Sequence, residues 1–292
     1  MKRSLKKLGG VTATATLALF AVQSQAQNVT ENFSSDLYSS EFSAAANPLS
    51  PSQSLTGGPG GAGYLSGVTG DGNAIYQNQT WDFSQSGETI QESILSQYTT
   101  ASGGGGQFQL GIGAPNFVMS GAGGSTPAFS SFRLSTSTTG PENVKAEYQV
   151  DNGSGTITGG QSVATTLTLG DWYLFAVTFD NIGSGSYTMT ANLYNYGGTG
   201  TTPSSIDLLT ALDGTGTPFE QSVTLSGSPL TTATDANDLY AGFRVNQPST
   251  SGFGEFTDFD VLDPAPAPVP EPGVMALFGL SALLGVRQLR CK

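Results

Sequence analysis

The chain has 292 residues, 40 of them glycine, with no histidine, one cysteine and a formal net charge of −12. That cysteine, Cys291, is next to last, so the rest of the chain can build no disulfide, no His or Cys metal site, no Cys nucleophile and no Ser-His-Asp triad. All of the 22 acidic residues except Glu271 lie between Gln27 and Pro268, where the only cations are Arg133, Lys145 and Arg244; this balance repels nucleic acid and anionic lipid.

Lys2, Arg3, Lys6 and Lys7 precede an apolar stretch over 8–22, and Ser24-Gln25-Ala26 puts small residues ahead of a cut. This order of parts predicts a signal-peptide helix over 1–26, removed between Ala26 and Gln27, and therefore export.

The body, 27–263, is punctuated by turn formers. Residues 47–63, rich in Pro, Gly and Ser, read as a long loop or insertion, and 102–106 and 121–127 punctuate likewise. Between such breaks strands are expected over 89–98, 107–112 and 129–135. Val144, Ala146, Tyr148 and Val150 then alternate with Lys145, Glu147 and Gln149. Further strands are expected over 162–169 and 172–180. Tyr187, Met189, Ala191 and Leu193 alternate with Thr188, Thr190 and Asn192; Leu239, Ala241, Phe243 and Val245 alternate with Asp238, Tyr240, Gly242 and Arg244. A last strand covers 254–262. Period two buries one face and wets the other, as antiparallel sheets do. A helical period is absent from the body, apart from a short turn over 205–212. The fold class is all-β, a two-sheet antiparallel sandwich or a barrel.

Asp171-Trp172-Tyr173-Leu174-Phe175-Ala176-Val177-Thr178-Phe179-Asp180, a Gly/Ser turn and then 187–196 resemble the central hairpin of laminin-G and concanavalin-like jelly rolls, in which a Trp opens a strand of the form W-x-x-x-x-V-T-F-D. Phe256-Thr257-Asp258-Phe259-Asp260-Val261 is similar to that family's closing strand, which returns beside the first. The resemblance implies a jelly-roll sandwich for 27–263. Glycosidases on this fold carry acids as Glu-x-Asp-x-x-Glu on one strand, a spacing this chain lacks. Its nearest cluster is Glu255, Asp258 and Asp260, where alternation puts the two aspartates on one face and Glu255 on the other. No catalytic residue is assigned. The clusters Asp71-Gly72-Asn73, Asp151-Asn152-Gly153, Asp180-Asn181 and Asp235-Ala236-Asn237-Asp238 offer oxygens to Ca2+, the one metal the composition suits, but Asx residues favour turns for backbone reasons alone. No metal ligand set is assigned. Sugar binding needs aromatic plates beside amides and carboxylates; Tyr194, Asn192, Tyr240 and Asp238, on the wet faces of their strands, are the candidates. Trp81 and Trp172 are expected in the core.

Residues 264–268 alternate Pro and Ala, an extended spacer. Val269-Pro270-Glu271-Pro272 follows, then the uncharged apolar run 273–286, then Arg287, Arg290 and Lys292. At about 1.5 Å per residue the run spans roughly 21 Å, and counting on to Lys292 brings the length to roughly 30 Å, enough for a single transmembrane helix. Basic residues after the run fit a cytoplasmic end. Order and composition over 269–292 resemble the PEP-CTERM sorting signal of bacterial exported proteins. The resemblance implies an exosortase-like membrane processing enzyme as partner, with Val269, Pro270, Glu271 and Pro272 as the recognised motif. It also implies a precursor anchored in the inner membrane and a product at the cell surface or in the matrix. The sequence thus predicts a non-enzymatic envelope or matrix protein without cofactor. The alternatives are a lectin-like module that binds extracellular polysaccharide and a carbohydrate-active hydrolase or lyase on the same fold.

Overall fold

The computed structural model describes residues 28–35, 38–67, 70–100, 106–119, 127–136, 143–151, 156–164, 167–200, 225–226, 230, 238–247 and 252–263. The leader, the 205–212 turn, the spacer, the Val269–Pro272 motif and the tail with Arg287, Arg290 and Lys292 lie outside them, as do Ala26 and Gln27. Among the described residues no helix is long and apolar enough to cross a membrane.

In chain order the elements are β1 (Val29–Glu31), α1 (Tyr38–Glu41), β2 (Phe42–Ser43), β3 (Ser52–Ser54), a 3-10 turn (Pro59–Gly61), β4 (Tyr64–Ser66), β5 (Gly70–Tyr76) and β6 (Thr89–Thr100). There follow β7 (Gln107–Gly113), β8 (Phe129–Thr136), β9 (Asn143–Asp151), β10 (Thr156–Ala164), β11 (Trp172–Gly183), β12 (Ser186–Gly197), β13 (Leu225–Ser226), β14 (Tyr240–Gln247) and β15 (Gly252–Leu262). They form two antiparallel sheets. An eight-stranded sheet runs β13-β12-β11-β6-β15-β4-β3 with β1 also on β15, and a seven-stranded one runs β10-β9-β8-β7-β14-β5-β2. The chain is therefore all-β, and the closing strand does return beside the first, Val261 opposite Val29.

The sandwich forms because strands of both sheets turn mainly apolar side chains inward. Phe175, Val177, Phe179, Tyr187, Met189, Ala191 and Leu193 from the larger sheet meet Phe108, Leu110, Phe132, Ala241, Phe243 and Val245 from the smaller one, all buried. Phe179, Leu193 and Phe243 are inside as expected, whereas Tyr148 is only partly buried against the core. Polar groups tie the sheets across this interior. Glu92 on β6 accepts a hydrogen bond from the Gly242 N–H on β14 (2.9 Å), and the Ser130 and Tyr187 hydroxyls bond to each other.

Three expectations are corrected. The strand placed over 162–169 is β10, Thr156–Ala164, because Thr156 to Ala164 pair in register with Asp151 to Asn143. By Thr168 the chain is already turning, its N–H donating to the Tyr173 hydroxyl and Gly170 at φ 86°. The 47–63 segment is not all loop, since it holds β3 and the 3-10 turn, and β3 pairs with β4. Polar residues placed on the wet faces of β9 and β14 are buried. Gln149 is 0% exposed, Arg244 2% and Glu147 6%, because on the outer face of the seven-stranded sheet they bond neighbouring side chains. Arg244 grips both Asp71 oxygens (2.7 and 2.9 Å) and donates to Gln109 (3.1 Å), whose amide donates on to Gln149 (2.9 Å). Arg133 pairs with Glu147 at 2.6 Å.

Candidate functional site

The outer face of the eight-stranded sheet carries a groove of about 390 Å³ lined by Thr30, Leu95, Leu174, Tyr196, Asp258, Asp260, Pro59, Gly60 and Gly200. Leu95 and Leu174 are directly opposite each other on β6 and β11 and form an apolar floor. Two bulges raise its sides. On β12, Trp172 pairs with Gly197 and Tyr173 with Asn195, so Tyr196 is an extra residue without a partner. On β15, Thr257 pairs with Leu95 and Asp260 with Ser93, so Asp258 and Phe259 share the space of one residue, and Asp258 takes φ 48°. A bulge re-aims the side chains beside it. Here Phe259 turns into the core, 0% exposed, while Thr257, Asp258 and Asp260 all face outward. One end of the groove is closed by the 3-10 turn against Gly200. A Cβ on Gly200, at φ 66°, would lie 2.5 Å from the Pro59 ring and 2.9 Å from Trp172, so only glycine allows this approach. Trp172 is buried beneath it, as expected of a core Trp, but on the outer side of its sheet. Trp81 is in the main core.

The bulges also correct the face of Glu255. It pairs with Gln97, which shares the outer face with Leu95, so all three acids of β15 point the same way. Their pKa values are raised: Asp258 by burial and then by the Asp260 charge, with the Thr257 hydroxyl pulling back; Asp260 by burial, with Thr30 pulling back; Glu255 by burial. Asp260 Oδ1 is buried without a partner. Among the described residues no three carboxylates are grouped so as to hold a metal ion. Asp71 is engaged by Arg244, Asp180 accepts the Thr89 hydroxyl (2.6 Å), and Asn181 bonds Phe83 O and Gly183 N. These three Asx sites hold turns and strand ends together.

The four residues singled out for sugar binding fall on opposite faces of the sandwich. Tyr194 pairs with Leu174 and Asn192 with Ala176, which puts both on the groove's face, beside its floor. Tyr240 opens β14 of the other sheet, and Asp238 lies just before that strand. Tyr240 lines a pocket of about 90 Å³ with Phe117, Asn116 and Gln77, and the exposed Asp238 accepts a long bond from Thr80 (3.4 Å). Tyr196, Leu95, Leu174, Thr30 and Pro59 escaped the sequence reading. Alternation gives the face of a strand residue, but a bulge is set by the register with a neighbouring strand. The one local hint was the aspartate itself, a residue type that tolerates positive φ.

No protein-family model and no curated protein matches this chain. Among solved structures, a lectin from Bauhinia forficata in complex with GalNAc is 11% identical, with 83% of this chain and 100% of that one covered and a TM-score of 0.44. Peanut lectin is 9% identical (82% and 98% covered, TM-score 0.44). The alginate lyase Aly36B is 13% identical (83% and 98% covered, TM-score 0.41). Likeness of this order assigns neither a ligand nor a reaction, so any function has to rest on the groove.

Proposed function

We propose that this is an exported, non-enzymatic glycan-binding protein of the cell envelope or matrix. Its leader is cleaved after Ala26 and its tail is handled by an exosortase-like enzyme at Val269-Pro270-Glu271-Pro272. The observation that carries the binding role is the pairing of two bulges across an apolar floor, with Tyr196 on one side and Asp258 and Asp260 on the other. Sugars are amphipathic: the C–H face of a pyranose packs on an aromatic ring while its hydroxyls donate to carboxylates. The acids serve as acceptors rather than as a hydrolytic pair, since Glu255, Asp258 and Asp260 lack the Glu-x-Asp-x-x-Glu spacing with which glycosidases on this fold flank the scissile bond.

Tyr196→Ala tests the site. The side chain stands outside the core at a bulge, so stability should change by no more than about 0.5 kcal/mol. Affinity of the purified full chain for a bound oligosaccharide, read by calorimetry, should fall about tenfold, or ~1.4 kcal/mol. Unchanged affinity rules the groove out. Turnover of the oligosaccharide that disappears in Asp258→Asn or Asp260→Asn would make the protein an enzyme.

The sorting role has its own test. Pro270 and Pro272 hold Glu271 in an extended segment just before the apolar run. Glu271→Ala should leave precursor with its whole tail in the membrane of the native host, whereas the parent chain, which like the variant begins at Gln27, is shortened at the tail as well. Identical masses and locations would reduce the motif to a plain stalk.

A further inference from the structure

We infer that the ligand of the groove is a glycan bearing protonated amines, an amino-sugar polymer at least partly free of acetyl groups; this rests on the glycan-binding reading above. The inference comes from how charge is distributed over the two sheets. No strand of the eight-stranded sheet carries a lysine or arginine, while Asp180, Glu255, Asp258 and Asp260 all belong to it. The body's cations lie elsewhere. Arg133 and Arg244 are on β8 and β14 of the other sheet and already paired, with Glu147 and Asp71, and Lys145 is on β9 of that sheet. Between Gln27 and Pro268 the sequence holds no other lysine or arginine, and the chain has no histidine, so no loop of the body can bring a positive charge to the groove.

Several other acids have close partners within the fold. Glu147 and Asp71 have guanidinium partners, and Glu31 and Glu88 accept backbone N–H bonds at 2.6 Å. Asp258 has only the Thr257 hydroxyl at 3.5 Å. Asp260 is bonded by Thr30 and keeps one buried oxygen without a partner. Two adjacent acids with no cation of their own, over a floor and an aromatic ring that suit a sugar, are complementary to a sugar carrying a cation. An ammonium on the ring supplies charge-assisted hydrogen bonds that a hydroxyl or acetamide cannot match. A uronic acid polymer would bring carboxylates against carboxylates.

The test titrates the purified full chain, at low and high salt, with three oligomers of equal length: de-N-acetylated chitosan oligomer, its fully N-acetylated counterpart and oligoalginate. The amine form is expected to bind at least tenfold more tightly than the acetylated one, with alginate weakest and the preference shrinking at high salt as Coulombic attraction is screened. Asp258→Asn and Asp260→Asn should collapse the preference towards one by weakening the amine form far more than the acetylated one; Asn accepts the positive φ of Asp258 as Asp does, so folding is kept. Tyr196→Ala should weaken both forms equally. Equal binding of the amine and acetylated oligomers, or tightest binding of alginate, overturns the ligand class and leaves the glycan site standing. Failure of all three to bind overturns both.

Discussion

Truncating Phe243 to alanine is expected to lower stability by about 3–5 kcal/mol, the range for removing a fully buried phenylalanine. Phe243 is 0% exposed and stands where the two sheets meet. Its ring lies 5.9 Å from Phe42 of its own sheet and 6.1 and 5.8 Å from Phe256 and Phe259 of β15 in the other. Strands of two sheets cannot close on the vacated space without shifting register, so most of the cavity persists, and the loss exceeds the transfer free energy of the ring. Denaturant melts of parent and variant at one pH provide the measurement. A loss below about 1 kcal/mol would mean that Phe243 is not a core residue in solution. The effect should also reach the groove, because Phe259 is the inward half of the bulge that turns Asp258 outward. Phe259→Ala is therefore expected to weaken glycan binding as well as folding, whereas Phe243→Ala weakens folding first.

The strands that could be read from the sequence are those with one wholly apolar face. β12 and β14 announce themselves by alternation because every second residue enters the same core. β5 did not: Asp71-Gly72-Asn73 looks like a turn, yet Gly72 is there because Leu49 packs where a Cβ would sit, 2.8–2.9 Å away. Asp71 is there to pair with Arg244, a residue 173 positions away. Long-range partners of this kind leave no periodic trace. The same holds for the buried polar row Arg244–Gln109–Gln149, which alternation assigns to water because it cannot distinguish a solvated amide from one bonded to its neighbours. At the groove, the sequence offered Asp258, Asp260, Tyr194 and Asn192 through residue type and alternation, but it could not supply the two bulges that turn Tyr196 and Asp258 out.

Stability should fall as pH rises above about 4.5, and one buried acid should account for a full proton of that slope. Glu92 is 0% exposed, lodged on the inner face between Val177 and Val261. Burial raises its pKa well above the ordinary 4.5, the Gly242 N–H only partly opposing this, and its second oxygen has no partner. The folded state therefore keeps a proton that the unfolded chain gives up. Below about pH 4.5 both states hold the proton and Glu92 contributes no pH dependence. Above it, stability falls by up to about 1.4 kcal/mol per pH unit until the folded carboxyl itself ionises. Glu92→Gln keeps an oxygen for the Gly242 N–H and cannot ionise, so its stability curve should be flatter by one proton. Any constant cost of fitting the amide, about 1–3 kcal/mol if its N–H groups stay unpaired, shifts the whole curve without altering its slope. Glu88, raised to about 7 mainly by burial, and the raised acids Glu255, Asp258, Asp260 and Asp263 tilt both proteins alike and cancel in the difference. Urea melts from pH 4 to pH 8 on parent and variant give the two slopes. A variant that gains steadily on the parent as the pH rises above about 4.5 places a protonated carboxyl in the sandwich interior. Parallel curves would mean that water or a shifted register reaches Glu92 and that its bond to Gly242 does not tie the two sheets together.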